Sequence, residues 1–281
     1  MLSIVGTPIG NLGDFSPRGA AALEGCDFIA AEDTRVTAKL LHHFGITKPM
    51  LSYHEYNRRE CGEKILARLR AGETCALVTD AGMPAISDPG EDLVRACHDA
   101  GILVEAVPGP TAFATALALS GFPSGRFTFE GFLSVNKRSR ADHLTQLAAE
   151  TRTMLFYEAP HKLPATLRDF ARAFGERPLA IVRELTKIHE EVIRTTCAQA
   201  ARLYGGDETA QRLKGELVLV LAGAEPAAKA AADPQRALAL AQGYVDSGLA
   251  QSEAARRAAE ETGLRRNEIY AMLNSCRKTL D

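Results

Sequence analysis

Two successive α/β domains and a small helical tail are the architecture this 281-residue chain predicts. Three observations carry that reading. Short apolar runs alternate with helix-like stretches through the first half, near Gly121 this gives way to more closely spaced strand candidates, and the chain ends in three short helix candidates punctuated by glycine. At ~150 residues per domain the length suits about two domains, enough to bury a core without staples.

Taken in order, Leu2–Gly6 is a strand candidate, and Ser16-Pro17 opens a helix with Ser at the N-cap and Pro at the first helical position. A strand at Asp27–Ala31, a helix at Val36–Phe44 closed by Gly45, and a helix at Glu60–Ala71 closed by Gly72 follow. Thr74–Thr79 reads as a buried strand, Asp88-Pro89-Gly90-Glu91 as a capping box with Asp at the N-cap, Ile102–Val107 as a strand and Pro110–Leu119 as a helix. Strands separated by helices imply a mainly parallel sheet, which places a first domain at residues 1–122. Residues 123–223 read as a second α/β domain with more antiparallel pairing. Its strands are Arg126–Phe132, Thr153–Tyr157, Leu179–Arg183, Glu191–Thr196 and Glu216–Leu221, with a helix at Lys162–Phe174. Phe127, Phe129 and Phe132 are expected in the core. Residues 224–234 are an alanine- and proline-rich linker, and residues 235–281 hold the helices Gln235–Asp246, Gln251–Thr262 and Arg266–Lys278.

Composition narrows the function classes. Hydrophobic residues make up 46% and charged residues 24%, which excludes wholesale disorder. A formal net charge of -2 excludes a cationic coat for nucleic acid but leaves room for a local basic patch. The six cysteines are scattered without a C-x-x-C pair, as in a reduced, cytoplasmic protein with neither a disulfide framework nor a zinc cluster. No apolar run is long enough to span a membrane, and the chain enters an apolar run at Leu2 with no basic start, so no signal peptide is expected.

Three loops stand out. Gly6-Thr7-Pro8-Ile9-Gly10-Asn11 leaves the first strand without the Lys-Ser/Thr of a phosphate loop. Thr79–Gly90 (TDAGMPAISDPG) is too long for a simple connector, and its Gly and Pro residues suit close backbone approach in a stiffened loop. Val107-Pro108-Gly109-Pro110-Thr111-Ala112 opens a helix whose free N–H groups suit a polar ligand atom. Ligands in open α/β sheets bind beyond the carboxyl ends of the strands, so three such loops point to a cleft.

With AAEDTR, FYEAPHKL and RELTKIHEE, these loops form an ordered set that resembles the tetrapyrrole methylase-like (class III) S-adenosylmethionine methyltransferases, and among them the enzymes that modify small-subunit ribosomal RNA. The resemblance runs from Leu2 to about Gly223, and the terminal helices are similar to a helix-turn-helix-like extension of those enzymes. It implies a cofactor cleft between the two α/β domains, a homodimer, and methyl transfer to the ribose 2′-hydroxyl of a cytidine in the decoding region of 16S ribosomal RNA, on free RNA or on the small subunit. Carried over loop by loop, the cofactor residues are Thr7, Pro8, Gly82, Met83, Ile86, Pro108, Thr111, Ala112, Tyr157, Ala222 and Gly223. A ribose hydroxyl is a weak nucleophile, helped by a base or by a cation beside the developing alkoxide. Asp33 and Arg35 of AAEDTR and Glu184 and Lys187 of RELTK are the catalytic candidates, with surface ion pairing as their alternative reading. No metal is needed; a strand end and a helix cap account for Asp80 and Asp88.

Attraction to phosphate must be local. Lys137, Arg138 and Arg140, with Arg126 upstream, form the densest basic stretch and are the RNA-binding candidates. Two other readings compete. A tetrapyrrole methylase of the precorrin type would share the cofactor loops but lack the basic stretch and the tail. A nucleic-acid-binding regulator would be built on the tail, yet residues 233–281 carry seven basic and seven acidic residues, a neutral balance.

Overall fold

A computed structural model describes residues 1–206, 215–225 and 233–277, and the chain forms two compact units, Met1–Gly223 and Ala224–Asp281. In the first unit, β1 (Leu2–Val5), β2 (Phe28–Ala31), β3 (Met50–Ser52), β4 (Cys75–Val78) and β5 (Val104–Val107) form a five-stranded sheet in the order β3-β2-β4-β1-β5. All its pairings are parallel. The crossovers carry α1 (Pro17–Gly25), α2 (Thr34–His43), α3 (Arg58–Arg70) and α4 (Glu91–Asp99). β1, β2 and β4 are wholly buried, as expected of a parallel sheet covered on both faces. One face packs Phe28, Ile65 and Leu93, the other Ile29, Leu23 and Val78. Ser16 caps α1 by accepting from the Gly19 N–H, as its sequence predicts.

The second sheet has the order β6-β7-β10-β8-β9, from β6 (Phe127–Phe132), β7 (Thr153–Glu158), β8 (Pro178–Arg183), β9 (Glu191–Thr196) and β10 (Leu217–Leu221). Only β6 and β7 pair in parallel; the other pairs are antiparallel. Its two faces are sorted by the period of the strand. Met154, Phe156, Leu179, Ile181, Leu217, Leu219 and Leu221 face a core shared with α7 (Leu163–Phe174) and α8 (Cys197–Tyr204). Leu155, Ala180, Val182, Val218 and Val220 face a second core that contains Ala116 and Leu117 of α5 (Ala112–Ser120) and Ile9 of the loop after β1. The helix that follows the last strand of the first sheet therefore packs on the second sheet, against β7, β8 and β10. The mostly apolar α5 (AFATALALS) buries Ala116 and Leu117 there, while Leu119 stays exposed.

Several expectations are corrected. Asp88 does not cap α4: the N-cap is Gly90, with φ 152° and no side-chain cap, and Asp88 is left two residues outside the helix. Pro110 is not the first residue of α5, whose N-cap is Thr111. Phe127 and Phe132 are 40% and 57% exposed rather than core residues, although Phe129 is partly buried. β3 and α8 were not anticipated. The basic stretch opens a helix, α6 (Lys137–Leu147), capped by Asn136.

The second unit comprises α9 (Pro234–Asp246), α10 (Gln251–Thr262) and α11 (Arg266–Arg277). They pack on one another through small side chains, Ala237, Ala241, Ala255 and Ala258, with Ile269 and Leu273. Part of the expected linker, residues 226–232, lies outside the described residues.

Where the loops after β1 and β5 cross, glycine is demanded by space. A Cβ on Gly109 would lie 2.8 Å from the carbonyl carbon and oxygen of Gly6, with no flexible side chain to give way. Gly109→Ala is expected to destabilise by about 1–3 kcal/mol, lowering the thermal midpoint by roughly 2–4 °C for each kcal/mol. Gly25→Ala, with nothing within 4 Å of its Cβ, should leave the midpoint unchanged; equal effects in the two variants would refute the packing argument.

Candidate active site

The motif loops converge because their strands are neighbours. The loops after β2, β4, β1 and β5 leave four strands that lie side by side in the sheet, all at its carboxyl edge. Two backbone bonds clamp the loop after β1 to the loop after β4: Thr7 N–H donates to Gly82 O at 2.9 Å and Gly82 N–H to Thr7 O at 3.2 Å. The Thr7 hydroxyl donates to Thr79 O at 3.1 Å, and Gly109 N–H to the Met83 sulfur at 3.3 Å. A Cβ on Gly10 would lie 2.6 Å from Cγ of Lys187 and 3.0 Å from Leu185 O, so the first loop also rests on the RELTK loop of the second sheet.

Among the described residues, the non-glycine residues with left-handed backbone are Ala85, Ser87, Glu184 and Thr186, at φ 66°, 65°, 51° and 64°. All belong to these loops, where strained conformations are held by their surroundings.

Between the two sheets these loops enclose a cavity of about 310 Å³, within the usual range for small-molecule sites. Of the residues expected to bind cofactor, Gly82, Met83, Ile86, Thr111, Ala112 and Tyr157 line it. Thr7 is buried as the clamp beneath it, and Pro8 is partly buried beside that clamp. Pro108 faces a separate, more open hollow with Pro110 and Thr186.

Ala222 and Gly223 lie elsewhere, a correction with a clear cause. β10 runs antiparallel to β7, so it meets the cavity at its start, with Leu217, Val218 and the preceding Glu216. Its far end packs on Thr151, whose oxygen would sit 1.9 Å from a Cβ on Gly223. Strand direction leaves no mark in an all-apolar run such as LVLVL.

The sequence reading also missed Phe132 and Asp88, which both line the cavity. Phe132 gets there through a bulge: the pairing of β6 with β7 slips between Phe129 and Gly131, where Gly131 has φ 62°. The extra residue turns Phe132 to the face that Phe129 occupies. Both rings meet Tyr157, at centroid distances of 5.0 and 5.5 Å.

None of the catalytic candidates lines the cavity. Lys187 Nζ donates to Glu184 and to Glu216, each at 3.1 Å. Burial lowers its pKa, but the bonds to Glu216 and Glu184 outweigh burial and the pKa ends raised, so Lys187 is a cation at neutral pH and no base. Asp33 caps α2 by accepting from Arg35 N–H and takes two bonds from the Arg35 guanidinium, at 3.0 and 2.6 Å. These side-chain and backbone bonds from Arg35 hold its pKa at about 2, which makes it a weak proton acceptor. Arg35 itself is 87% exposed.

Behind the loop after β4 the carboxylates crowd. Glu32 accepts from the Thr79 hydroxyl at 2.5 Å, and Asp80 accepts from Asp33 N–H at 3.1 Å. Burial, followed by the charge of Glu32, raises the pKa of Asp80 and pushes that of Asp88 up to about 6.

Residues 1–201 match the model of the tetrapyrrole (corrin/porphyrin) methylases. The chain belongs to that family. Ribosomal RNA small subunit methyltransferase I of Synechocystis sp. is 48% identical over 97% of this chain and 96% of its own length. The enzyme of the same name from Xylella fastidiosa is 50% identical over 96% of this chain and 97% of its own. A crystal structure of uroporphyrin-III C-methyltransferase from Thermus thermophilus with S-adenosylhomocysteine superposes at TM-score 0.52, covering 79% of this chain and 96% of that one at 17% identity. That likeness establishes the methylase fold.

Of the remaining candidates, Arg126, Lys137 and Arg138 are exposed on this methylase. Arg140 is not: its side chain is only 11% exposed and donates to Asp169 at 2.7 Å and to the Thr166 hydroxyl at 2.7 Å, pinning α6 to α7. Among the described residues no cluster of three or more His, Cys, Asp or Glu could hold a metal ion, and no helix is long and apolar enough to cross a membrane. Arg140→Ala is expected to cost about 1.5–3 kcal/mol in urea unfolding, the range for bonds to a charged group. Arg140→Lys, with a point charge in place of the planar fork, should recover only part of it. Unchanged stability in Arg140→Ala would show that the pair does not anchor α6.

Proposed function

We propose that this methylase uses S-adenosylmethionine to methylate the RNA of the small ribosomal subunit, at the 2′-hydroxyl of a cytidine in the decoding region of 16S ribosomal RNA. The observation that carries the reading is identity of 48% across nearly the whole length of a relative named for small-subunit ribosomal RNA methylation. The precorrin-type reading rests on the family match and on fold likeness at 19% identity. The regulator reading is weakened by the tail, where Arg256 is paired with Glu253 and Glu260, each at 2.6 Å.

The cavity suits the cofactor on three counts. Its volume is adequate. Its walls are apolar and aromatic at Ile9, Met83, Ile86, Phe132, Tyr157 and Val218, as adenine requires. Its polar edge includes backbone at Gly82 and at the start of α5, where the Thr111 side chain makes no capping bond, and the polar residues Ser87 and Asp88. S-adenosylmethionine when bound supplies an electrophilic methyl group on a sulfonium.

The chain's own part is positioning and field, which account for most of the rate in a displacement of this kind. Met83 and Ile86 confine the ligand while Gly82 lets the backbone approach it. Lys187, held between Glu184 and the cavity residue Glu216, supplies a fixed cation near the cavity, and Asp33 with Arg35 follows β2 at the carboxyl edge of the first sheet. Arg126, Lys137 and Arg138 hold RNA phosphates. Action in the cytoplasm, as a homodimer, completes the proposal.

Calorimetry on the purified protein should detect binding of S-adenosylmethionine and S-adenosylhomocysteine, and Gly82→Val, which places a β-branched residue at φ 91°, should abolish both. Small subunits from cells lacking the protein should gain one ribose methyl group, located by mass spectrometry; no transfer by a protein that binds cofactor would refute the RNA reading. Replacing Lys137 and Arg138 together by Ala should lower the slope of log affinity against log salt by roughly 1.4–1.8 units, at ~0.7–0.9 per phosphate contact, with cofactor affinity unchanged. An unaltered slope would place the RNA track elsewhere.

A further inference from the structure

Three acidic residues, Asp88, Glu158 and Glu216, are among those that line the cavity, and among the described residues no lysine, arginine or histidine lines it. Two of the three are engaged. Glu216 is ion-paired with Lys187 at 3.1 Å. Glu158 is buried and takes bonds from the Ala159 N–H and the Thr166 hydroxyl.

Asp88 is placed differently. It stands outside α4, which Gly90 starts instead, on a loop whose neighbouring residue Ser87 is held in left-handed backbone. The groups around it are Glu32 at the end of β2, Asp80 and the Thr79 hydroxyl after β4, and the Tyr157 phenol of β7. None is a cation. The guanidinium of Arg35, beyond Asp80, is bound to Asp33.

We propose that Asp88 sorts ligands by charge, favouring the sulfonium cofactor over its neutral thioether product. The proposal rests on reading the cavity as the cofactor site. At neutral pH S-adenosylmethionine carries a sulfonium, an ammonium and a carboxylate, a net single positive charge; S-adenosylhomocysteine has lost the sulfonium and is neutral overall. In the transfer, the bond from sulfur to methyl breaks with its electron pair left on sulfur. A bond from methyl to the ribose oxygen forms, and the hydroxyl proton leaves to water. Positive charge thus leaves the site, and with it the attraction to Asp88. A carboxylate in a partly desolvated wall acts on such a charge more strongly than one in water. The same arrangement makes the preference titratable. Asp88 has a pKa of about 6, raised first by burial and then by Glu32 and Asp80, so it is mostly neutral at pH 5 and mostly ionised at pH 7.

The test is calorimetric titration of the full-length protein with each ligand from pH 5 to 7. The ratio of the S-adenosylhomocysteine Kd to the S-adenosylmethionine Kd is expected to rise about tenfold across that range in the wild type. In Asp88→Asn the ratio should be flat and held near its low-pH value, with S-adenosylhomocysteine affinity within about twofold of wild type. A flat ratio in the wild type overturns the proposal, whether or not the variant folds. Equal weakening of both ligands in Asp88→Asn also overturns it, since that marks a role in shape. A wild type that binds neither ligand is a different result and overturns the cofactor reading itself.

Discussion

Backbone against backbone at Gly6 and Gly109 is the contact on which the site depends. The loops after β1 and β5 touch there with no side chain between them, and this brings the Gly109 N–H onto the sulfur of Met83. Thr7 and Gly82 then exchange their two bonds, and Gly10 lies against the Leu185–Lys187 backbone and side chain of the other sheet. Each contact shortens the distance the next must span. A side chain at the first would part the loops, and the cavity walls at Met83 and Ile9 would part with them. The strained residues fit the same picture: Ala85 and Ser87 on one loop, Glu184 and Thr186 on the other. Such conformations persist when neighbouring contacts over-determine them.

The second sheet supplies the floor through its alternation. β10 is buried on both faces, with Val218 and Val220 toward α5 and Leu217, Leu219 and Leu221 toward α7 and α8. Because α5 leaves the first sheet and packs on the second, its Ala116 and Leu117, with Ile9 of the loop after β1, join the core of the second sheet, and the cavity lies at its edge, where Val218 and Leu185 meet Ile9. A ligand there is gripped by both sheets at once.

The fold was largely legible because its signals are local. Ser16-Pro17 starts a helix, the buried runs are strands, and the motif loops sit at strand ends, a pattern set by chain periodicity and cap chemistry. What escaped depends on partners far along the chain. β3 is three residues long and only partly buried, too short to show a period. Arg140 read as a phosphate ligand because its partner Asp169 is 29 residues away. Asp88 read as a cap because Asp-Pro-Gly-Glu satisfies the local rule, whereas the backbone of Gly90, at φ 152°, moves the helix start past it. Ala222 and Gly223 were placed on the cavity because an apolar run carries no arrow. Phe132 read as core because a bulge at a single glycine exchanges the faces of the residues beyond it.

Charge is divided in space, and this reconciles a net charge of -2 with a polyanionic substrate. The carboxylates of Glu32, Asp80 and Asp88 gather at the ends of β2 and β4, where burial raises the pKa of Asp80 and of Asp88. There they repel phosphate and attract a cation. Lys137 and Arg138 are exposed at the start of α6, within easy reach of a backbone track. The field around exposed charges is screened within about 8 Å at physiological salt, so the basic helix start attracts phosphates with little opposition from the acidic loops. Fields inside a partly closed wall are screened much less. On the proposed reading, a polyanion and a cation therefore sort themselves to different places on one surface: phosphates are held at the rim and the sulfonium is drawn inward, so the methyl group and the hydroxyl approach from opposite sides of the cavity mouth.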